Sequence, residues 1–198
     1  MKKKLKGEAG FTLVEMLVVA AIMVLLGLMV GTGIQMAMRT YQTIVAQSEV
    51  ELLLSTAVDA LADDLRYARD VRPRTGTNLN CDFTYTSDSF FGEGVYLDLD
   101  SGRIVACKSS SDNKQFLSTG VYGSQTSYKE YRVTEMKVVL NGPPAAAPAG
   151  SYEITFTIVL TVTADSSDGT SVSASTPEGG VTVRCLNPMI VTVGGAGS

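Results

Sequence analysis

The chain has 198 residues, 45% of them hydrophobic, and a formal net charge of −4. This length favours one membrane stem with one modest domain over a multidomain protein. The absence of histidine excludes His-based catalytic triads and histidine metal sites. An acidic chain also lacks the positive field that general nucleic-acid binding requires.

The N-terminus combines a lysine-rich leader with an apolar run. Four lysines lie within Met1–Lys6, and Met16–Ile34 is a run of 19 residues without a charged side chain. A spanning helix needs roughly 20 apolar residues, so this run is long enough to cross a bilayer. Positive charges before the run, with few close behind it, predict a cytoplasmic N-terminus and an outside remainder.

Glu15 stands directly before this apolar run. An acidic side chain in apolar surroundings costs on the order of a few kcal/mol and commonly marks a function or a partner. One interpretation places Glu15 at headgroup level, where the cost is small, but its neighbours favour a function. The segment Gly10–Leu17 reads Gly-Phe-Thr-Leu-Val-Glu-Met-Leu. With the lysine leader, it closely resembles the prepilin signature of type IV pilins, type II secretion pseudopilins and competence pseudopilins.

The resemblance implies cleavage after Gly10 by a prepilin peptidase, N-methylation of the new terminus at Phe11, and a role for Glu15 in docking subunits. Cleavage creates an α-ammonium on Phe11. Glu15 of one subunit could pair with that cation on a neighbour, because an ion pair gains strength where water is scarce. Removal of Met1–Gly10 would leave twelve cationic and nineteen acidic side chains, a balance of −7.

Two alternatives stay open. A conventional secretory signal peptide could use Gly31-Thr32-Gly33 as a small-x-small cleavage site. The length of the apolar run and Glu15 in front of it argue against this interpretation. The second alternative is a singly anchored extracytoplasmic domain that binds or senses a ligand and never polymerises.

Three glycines mark the end of the run. Gly27 and Gly31 form a small-xxx-small pair, with Gly33 just beyond. Glycine permits close helix approach in lipid, and it weakens a helix by about 1 kcal/mol relative to alanine. These are either ordinary membrane-helix glycines or a place where the stem bends or melts. Many major pilins and pseudopilins carry a proline in this part of the stem, whereas this chain has none before Pro73, which leaves the extent of melting open.

The helical pattern continues from Tyr41 to Val71. Apolar residues recur there at spacings of three and four, as one stripe. Its members are Val50, Leu54, Ala57, Val58, Leu61, Leu65 and Ala68. Because no proline interrupts the segment, we predict a nearly continuous helix from Phe11 to Val71 that ends before Pro73.

A group of arginines lies near this predicted helix end, interleaved with aspartates: Arg66, Arg69, Arg72 and Arg74. The pattern is typical of a solvated helix terminus, where cations offset the helix dipole. A subunit contact or a weak DNA patch is the alternative.

The remainder is β-like. Two short runs, Gly94–Leu99 and Arg103–Cys107, flank the turn Asp100–Gly102 and predict a hairpin. Longer runs rich in β-branched residues follow at Tyr131–Leu140, Tyr152–Thr163 and Val181–Val193. Asn141–Gly150 is predicted to be a loop, and Asp165–Gly180 is either a long loop or a ragged strand.

We therefore predict an α+β, pilin-like fold, with a long N-terminal helix whose second half packs on an antiparallel β-sheet head. The resemblance implies four to six strands in that sheet. The predicted parts are a leader at 1–10, a transmembrane and filament-core helix at 11–38, an amphipathic stem at 39–72, a β-rich head at 73–193 and a flexible tail at 194–198.

Three cysteines, Cys81, Cys107 and Cys185, lie in the outside portion, where disulfides can form. The odd count leaves at least one thiol over. A Cys81–Cys107 bridge, closing the loop after the helix, is the favoured pairing. A bridge that uses Cys185, as the C-terminal staple of many pilins would suggest, and three reduced thiols are the alternatives.

The predicted function is a non-enzymatic structural subunit, a minor pilin or pseudopilin of a type IV pilus-like or type II secretion filament. It would be a single-pass protein of the cytoplasmic membrane before assembly. The resemblance implies as partners a prepilin peptidase, other pilin subunits, a membrane assembly platform and the lipid bilayer, with nucleic acid only in a DNA-uptake filament. No cofactor or metal is expected. The sequence does not decide between pilus, secretion and competence machines.

Overall fold

The structure is a computed structural model that describes residues 12–76, 79–108, 112–117, 128–143, 150–166 and 170–191. The chain forms two compact units, divided between Thr43 and Ile44.

A single α-helix, α1, runs from Leu13 to Arg66 over 54 residues and contributes to both units. It closes with short-range bonds, from the Tyr67 N–H to the Asp64 carbonyl at 3.3 Å and from the Ala68 N–H to the Leu65 carbonyl at 3.2 Å. The prediction that the helix continues to Val71 is wrong.

The residues after the helix form a strand instead. Asp70 has a φ of 48°, a left-handed conformation that no α-helix accommodates. Arg69–Pro73 pairs antiparallel with the strand Phe83–Ser87, and Val71 is buried. Pairing with a neighbouring strand and burial of Val71 therefore outweigh the local helical pattern.

The described residues of the head form antiparallel strands in three sheets. Its strands are β1 (Arg69–Pro73), β2 (Phe83–Ser87), β3 (Gly92–Asp100), β4 (Arg103–Cys107), β5 (Asn113–Gln115), β6 (Tyr128–Asn141), β7 (Gly150–Tyr152), β8 (Thr155–Ser166), β9 (Ser171–Ser175), β10 (Val181–Arg184) and β11 (Met189–Val191). One sheet has the order β1-β2-β3-β4-β5. A second has the order β10-β8-β6, with β9 also paired to β8, and β11 pairs with β7. The five-stranded and four-stranded sheets each have the expected number of strands, but the described strands form three sheets where one was expected.

The predicted hairpin is confirmed. β3 and β4 pair in register, with Asp100 opposite Arg103. Ser101 and Gly102 have φ values of 52° and 78°, the positive pair that a type I′ turn requires. The turn docks on β6, because the Val133 N–H donates to the Gly102 carbonyl at 2.8 Å.

Two predicted long strands are each divided. The run Tyr152–Thr163 separates into β7 and β8, and Val181–Val193 separates into β10 and β11. Pro188 lies in the second break and has no N–H to donate to a ladder. Of the two possibilities for Asp165–Gly180, a loop or an irregular strand, the structure has the strand, β9. The strands β2 and β5 were not predicted.

The second half of α1 packs on the head, which confirms the predicted α+β arrangement. Its buried residues are Ala46, Val50, Leu53, Ala57, Val58, Leu61 and Leu65. They share one core cluster with aromatic residues of the sheets, including Phe83 and Phe156, whose ring centroids are 4.8 Å apart. Of the predicted stripe, Leu54 is only partly buried and Ala68 lies beyond the helix end.

The expected Cys81–Cys107 bridge is not formed, and the three thiols are free and buried. Cys81 belongs to the core cluster, and its thiol donates to the Phe83 carbonyl at 3.3 Å. Cys107 pairs with Tyr96, whereas the next pair, Leu97 and Ala106, faces the core. Because successive side chains alternate between the faces of a strand, Cys107 points away from the core that contains Cys81.

Cys185 also remains unpaired in the structure. Its thiol donates to the Ala68 carbonyl at 3.4 Å. Burial raises the pKa of the Cys81 thiol to about 11 and also raises the pKa of Cys107 and Cys185. The thiolate form that attacks disulfides is therefore disfavoured at all three positions.

Candidate assembly segment

The candidate site is the N-terminal part of α1. Glu15, Gly27, Gly31 and Gly33 all lie within the helix. The predicted processing residues, Gly10 and Phe11, lie outside the described residues.

Thr12 caps the start of α1. Its hydroxyl oxygen accepts the Glu15 backbone N–H at 3.3 Å, and its carbonyl accepts the Met16 N–H at 3.2 Å. Threonine is a favoured N-cap residue, typically worth about 1 kcal/mol over alanine. The spacing Thr12-x-x-Glu15 has the pattern of a capping box, which in a sequence marks the start of a helix.

Glu15 lies in the first turn, where the positive end of the helix dipole favours a carboxylate. Its side chain is exposed, and within the described part of the chain its carboxylate has no hydrogen-bond or ion-pair partner. The charge is therefore free to meet a cation from outside that part of the chain.

The apolar side chains that follow are exposed as well. From Leu13 to Ile44 the large hydrophobic residues expose between 46 and 82% of their surface. Among the described residues, α1 is the one helix long and apolar enough to cross a membrane. No other described residue covers its first half.

The hydroxyl groups of Thr32, Thr40 and Thr43 are satisfied within the helix. Thr32 donates to the Met29 carbonyl at 3.0 Å, Thr40 to the Met36 carbonyl at 3.0 Å, and Thr43 to the Arg39 carbonyl at 3.1 Å. Such internal bonding suits apolar surroundings, where polar groups find no water.

The three glycines are part of a regular α-helix in the structure. A Cβ added at Gly27, Gly31 or Gly33 would meet no atom within 4 Å. Contacts within the described chain therefore do not require glycine at these positions. Their bare backbone is available for the close approach of another helix, and bending or melting at this place stays a prediction.

The four arginines were expected to lie together at the end of the helix, but the structure divides them between α1 and the residues after it. Arg66 alone lies in α1, while Arg69 and Arg72 lie on β1. Each is exposed and pairs with an aspartate: Arg66 with Asp63, Arg69 with Asp88, and Arg72 with Asp70. The guanidinium of Arg74 lies over the Tyr96 ring, 3.8 Å from its centroid.

Within the described ranges, no group of three or more Cys, Asp or Glu side chains could hold a metal ion.

Comparison with known families matches residues 5–31 to the prokaryotic N-terminal methylation motif, the type IV pilin and pseudopilin signature. The match includes Gly10, Phe11, Glu15, Gly27 and Gly31, and it ends before the head begins. It points to a structural subunit, and with the apolar helix it fits a single-pass inner-membrane protein. No curated protein and no solved structure matches the chain.

Proposed function

We propose that this chain, which carries the N-terminal signature of type IV pilins and pseudopilins, is a minor pilin or pseudopilin that assembles into a filament through α1. One observation carries the proposal. The motif matched at residues 5–31 overlaps the part of α1 whose large apolar side chains are exposed. A protein that polymerises through this helix needs both features in the same place.

Processing sets up the polar contact of assembly. Cleavage after Gly10 releases the α-ammonium of Phe11, which is then methylated and stays cationic at neutral pH. The carboxylate of Glu15 has no partner in the described part of its own chain, so it pairs with the terminus of a neighbouring subunit. An uncompensated charge in apolar surroundings is costly, and the pair therefore favours one register of helix packing.

The same apolar surface serves two states in succession. In the membrane, lipid covers the charge-free run Met16–Ile34, with the lysine-rich leader holding the N-terminus on the cytoplasmic side. In the filament, neighbouring helices replace the lipid. Packing rather than the hydrophobic effect drives helix association in an apolar medium, and the open backbone at Gly27 and Gly31 allows it to be close.

The mature N-terminus tests the proposal directly. The full-length chain is expressed in cells with and without a prepilin peptidase, and its N-terminal peptide is identified by mass spectrometry. We expect methylated Phe11 when the peptidase is present and an intact leader when it is absent. A terminus near Ile34 would identify a secretory signal peptide, and an unprocessed Met1 in peptidase-containing cells would identify a plain membrane anchor; either result contradicts the proposal.

Assembly is tested separately. Filaments sheared from the surface or released from the periplasm are purified from cells with and without the assembly ATPase. We expect the chain in the filament fraction only when the ATPase is present. Recovery exclusively in membranes under both conditions would indicate an anchored domain that does not polymerise.

A further inference from the structure

The head contains an open cleft of about 590 Å³, formed where the end of α1 meets the turn after β2 and the residues after β5. Its volume lies in the range of ligand-binding sites, about 300–1,000 Å³. Three aromatic residues and three carboxylates line it: Tyr67, Phe90, Phe116, Asp63, Asp64 and Asp88. The cleft lies entirely outside the matched motif.

The aromatic side of the cleft offers flat ring faces. Phe90 and Phe116 stack on each other, with ring centroids 4.9 Å apart and an interplanar angle of 27°. Both are only partly buried, and Tyr67 exposes 61% of its surface. The negative face of an aromatic ring attracts a cation within about 6 Å.

The acidic side is held in place by the fold. The two oxygens of Asp64 accept hydrogen bonds from the Tyr85 hydroxyl and the Ser87 hydroxyl, each at 2.7 Å. Tyr85 and Ser87 are buried, so this carboxylate is fixed at the wall of the cleft. A carboxylate has about four acceptor positions, and the two bonds leave further positions open to a donor.

The other two carboxylates already bind guanidinium groups of their own chain. Asp63 pairs with Arg66, and Asp88 pairs with Arg69. All four side chains are largely exposed, and exposed pairs of this kind are worth about 0–1 kcal/mol. Neither arginine lines the cleft, and among the described residues that line it there is no cationic side chain between the acceptors and the ring faces.

We propose that this cleft receives an arginine side chain of another protein, whose guanidinium stacks on the outer face of the Phe90–Phe116 pair and donates to the carboxylates. Arginine fits both walls, because its planar group stacks on aromatic rings and offers five N–H donors to carboxylates. A lysine ammonium cannot stack in this way. The open cleft is also larger than one guanidinium needs, which leaves room for the residues that flank the arginine.

The test uses the full mature chain in detergent micelles with ¹³C-labelled phenylalanine rings. The probe is the tripeptide acetyl-Gly-Arg-Gly-amide, and its neutral isostere carries citrulline in place of arginine. We expect the arginine peptide to shift the NMR signals of Phe90 and Phe116 and to leave the core residues Phe83 and Phe156 unchanged. The citrulline peptide should bind at least about threefold more weakly, and added salt should weaken the arginine complex.

Variants identify the site. Phe116→Leu and Asp88→Asn should each weaken binding by roughly threefold to tenfold. Asp70→Asn is the matched control, because Asp70 forms a similar exposed pair with Arg72 outside the cleft, and we expect no change in its affinity. Unchanged Phe83 and Phe156 signals show that each variant is folded.

Three outcomes would overturn the proposal: equal binding of the citrulline peptide, an absence of shifts at Phe90 and Phe116, or shifts produced by maltotriose but not by the arginine peptide. The last would assign the cleft to a carbohydrate. Methylation of Phe11 is measured on the same samples, so failure of this proposal is distinct from failure of the proposed filament function.

Discussion

The two halves of α1 use apolar residues in opposite ways. From Leu13 to Ile44 the large hydrophobic side chains are exposed, whereas between Ala46 and Leu65 seven residues are buried in the core of the head. Both halves of the helix contain many apolar residues, but within the described chain only those of the second half are covered by other residues. The difference shows that the head can be stabilised by its own chain, while the first half depends on surroundings that the described chain does not provide.

The hydrogen bonds made by polar side chains also differ between the two halves of α1. Threonine hydroxyl groups in the first half bond to carbonyls of their own helix, as Thr32 does. In the second half, polar side chains reach the sheets: Asp64 accepts bonds from Tyr85 and Ser87, and Glu49 accepts one from Tyr131. The second half is therefore tied to the head by side chains that would lose their partners if the helix moved.

The largest effect should come from the core. Leu61 is fully buried, so Leu61→Ala leaves a cavity and should lower the free energy of unfolding of the head by about 2–5 kcal/mol. The matched change in the first half is Leu26→Ala, at a residue that is 52% exposed. We expect it to leave the unfolding of the head unchanged. Denaturation of the full chain in micelles, followed by near-UV circular dichroism, measures both; equal effects of the two variants would contradict the division of the helix.

A second effect concerns the thiol in the core. Burial raises the pKa of Cys81 from 9.0 to about 11. Between these values the unfolded thiol ionises while the folded thiol stays protonated. The unfolded state then binds fewer protons, so the free energy of unfolding falls as pH rises from about 9 to about 11, by on the order of 2–3 kcal/mol. Below pH 9 this contribution is fully present.

The variant Cys81→Ala tests whether Cys81 causes this loss of stability at alkaline pH, because it removes the titrating thiol. We expect the stability of this variant to fall less steeply than that of the unmodified chain between pH 9 and 11. Tyr85 adds a loss of the same sign above pH 10, because burial and the nearby Asp64 raise the pKa of its phenol. Parallel curves for the two proteins would show that Cys81 does not titrate in this way.

The third effect concerns the hydrogen bonds that join Asp64, near the end of α1, to Tyr85 and Ser87 of the sheet. Asp64→Ala leaves the hydroxyl groups of Tyr85 and Ser87 buried without their acceptor, which should cost about 1–3 kcal/mol of head stability. Asp63→Ala, at the preceding exposed position, is the control and should change stability by less than about 1 kcal/mol. Urea denaturation compares the two. A similar loss in both variants would mean that the loss reflects the helix end in general rather than this network.

The same comparison explains what could be predicted from sequence. A long charge-free run, a helical stripe and a Ser-Gly turn are local patterns, and they predicted α1, its buried face and the β3–β4 hairpin. The end of α1 was missed because residues 69–73 pair with β2, and a helical spacing of apolar residues does not reveal strand pairing. The Cys81–Cys107 bridge was expected from spacing alone, whereas the alternation of side chains along β4 decides which face each thiol occupies. The aromatic and acidic cleft joins residues from three separate segments, and no local pattern marks it.

Replacement of Glu15 should have the smallest effect on the stability of the head and the largest effect on filament assembly. Glu15 lies in the exposed half of α1, so Glu15→Ala should leave the unfolding of the head unchanged and should still give methylated Phe11 in the membrane fraction. The variant removes the carboxylate that we propose pairs with the neighbouring terminus and leaves that cation unpaired among apolar groups. Its incorporation into filaments should therefore fall by about tenfold or more.

Glu178→Ala provides the control, since Glu178 is an exposed carboxylate in the turn before β10 and its loss should not affect incorporation. Immunoblots of purified filaments, normalised to the processed membrane pool, measure both variants. Normal incorporation of Glu15→Ala would show that apolar packing alone selects the register. In that case the Glu15 carboxylate would contribute only its favourable position at the positive end of the helix dipole, and the exposed apolar face would carry the whole of the assembly energy.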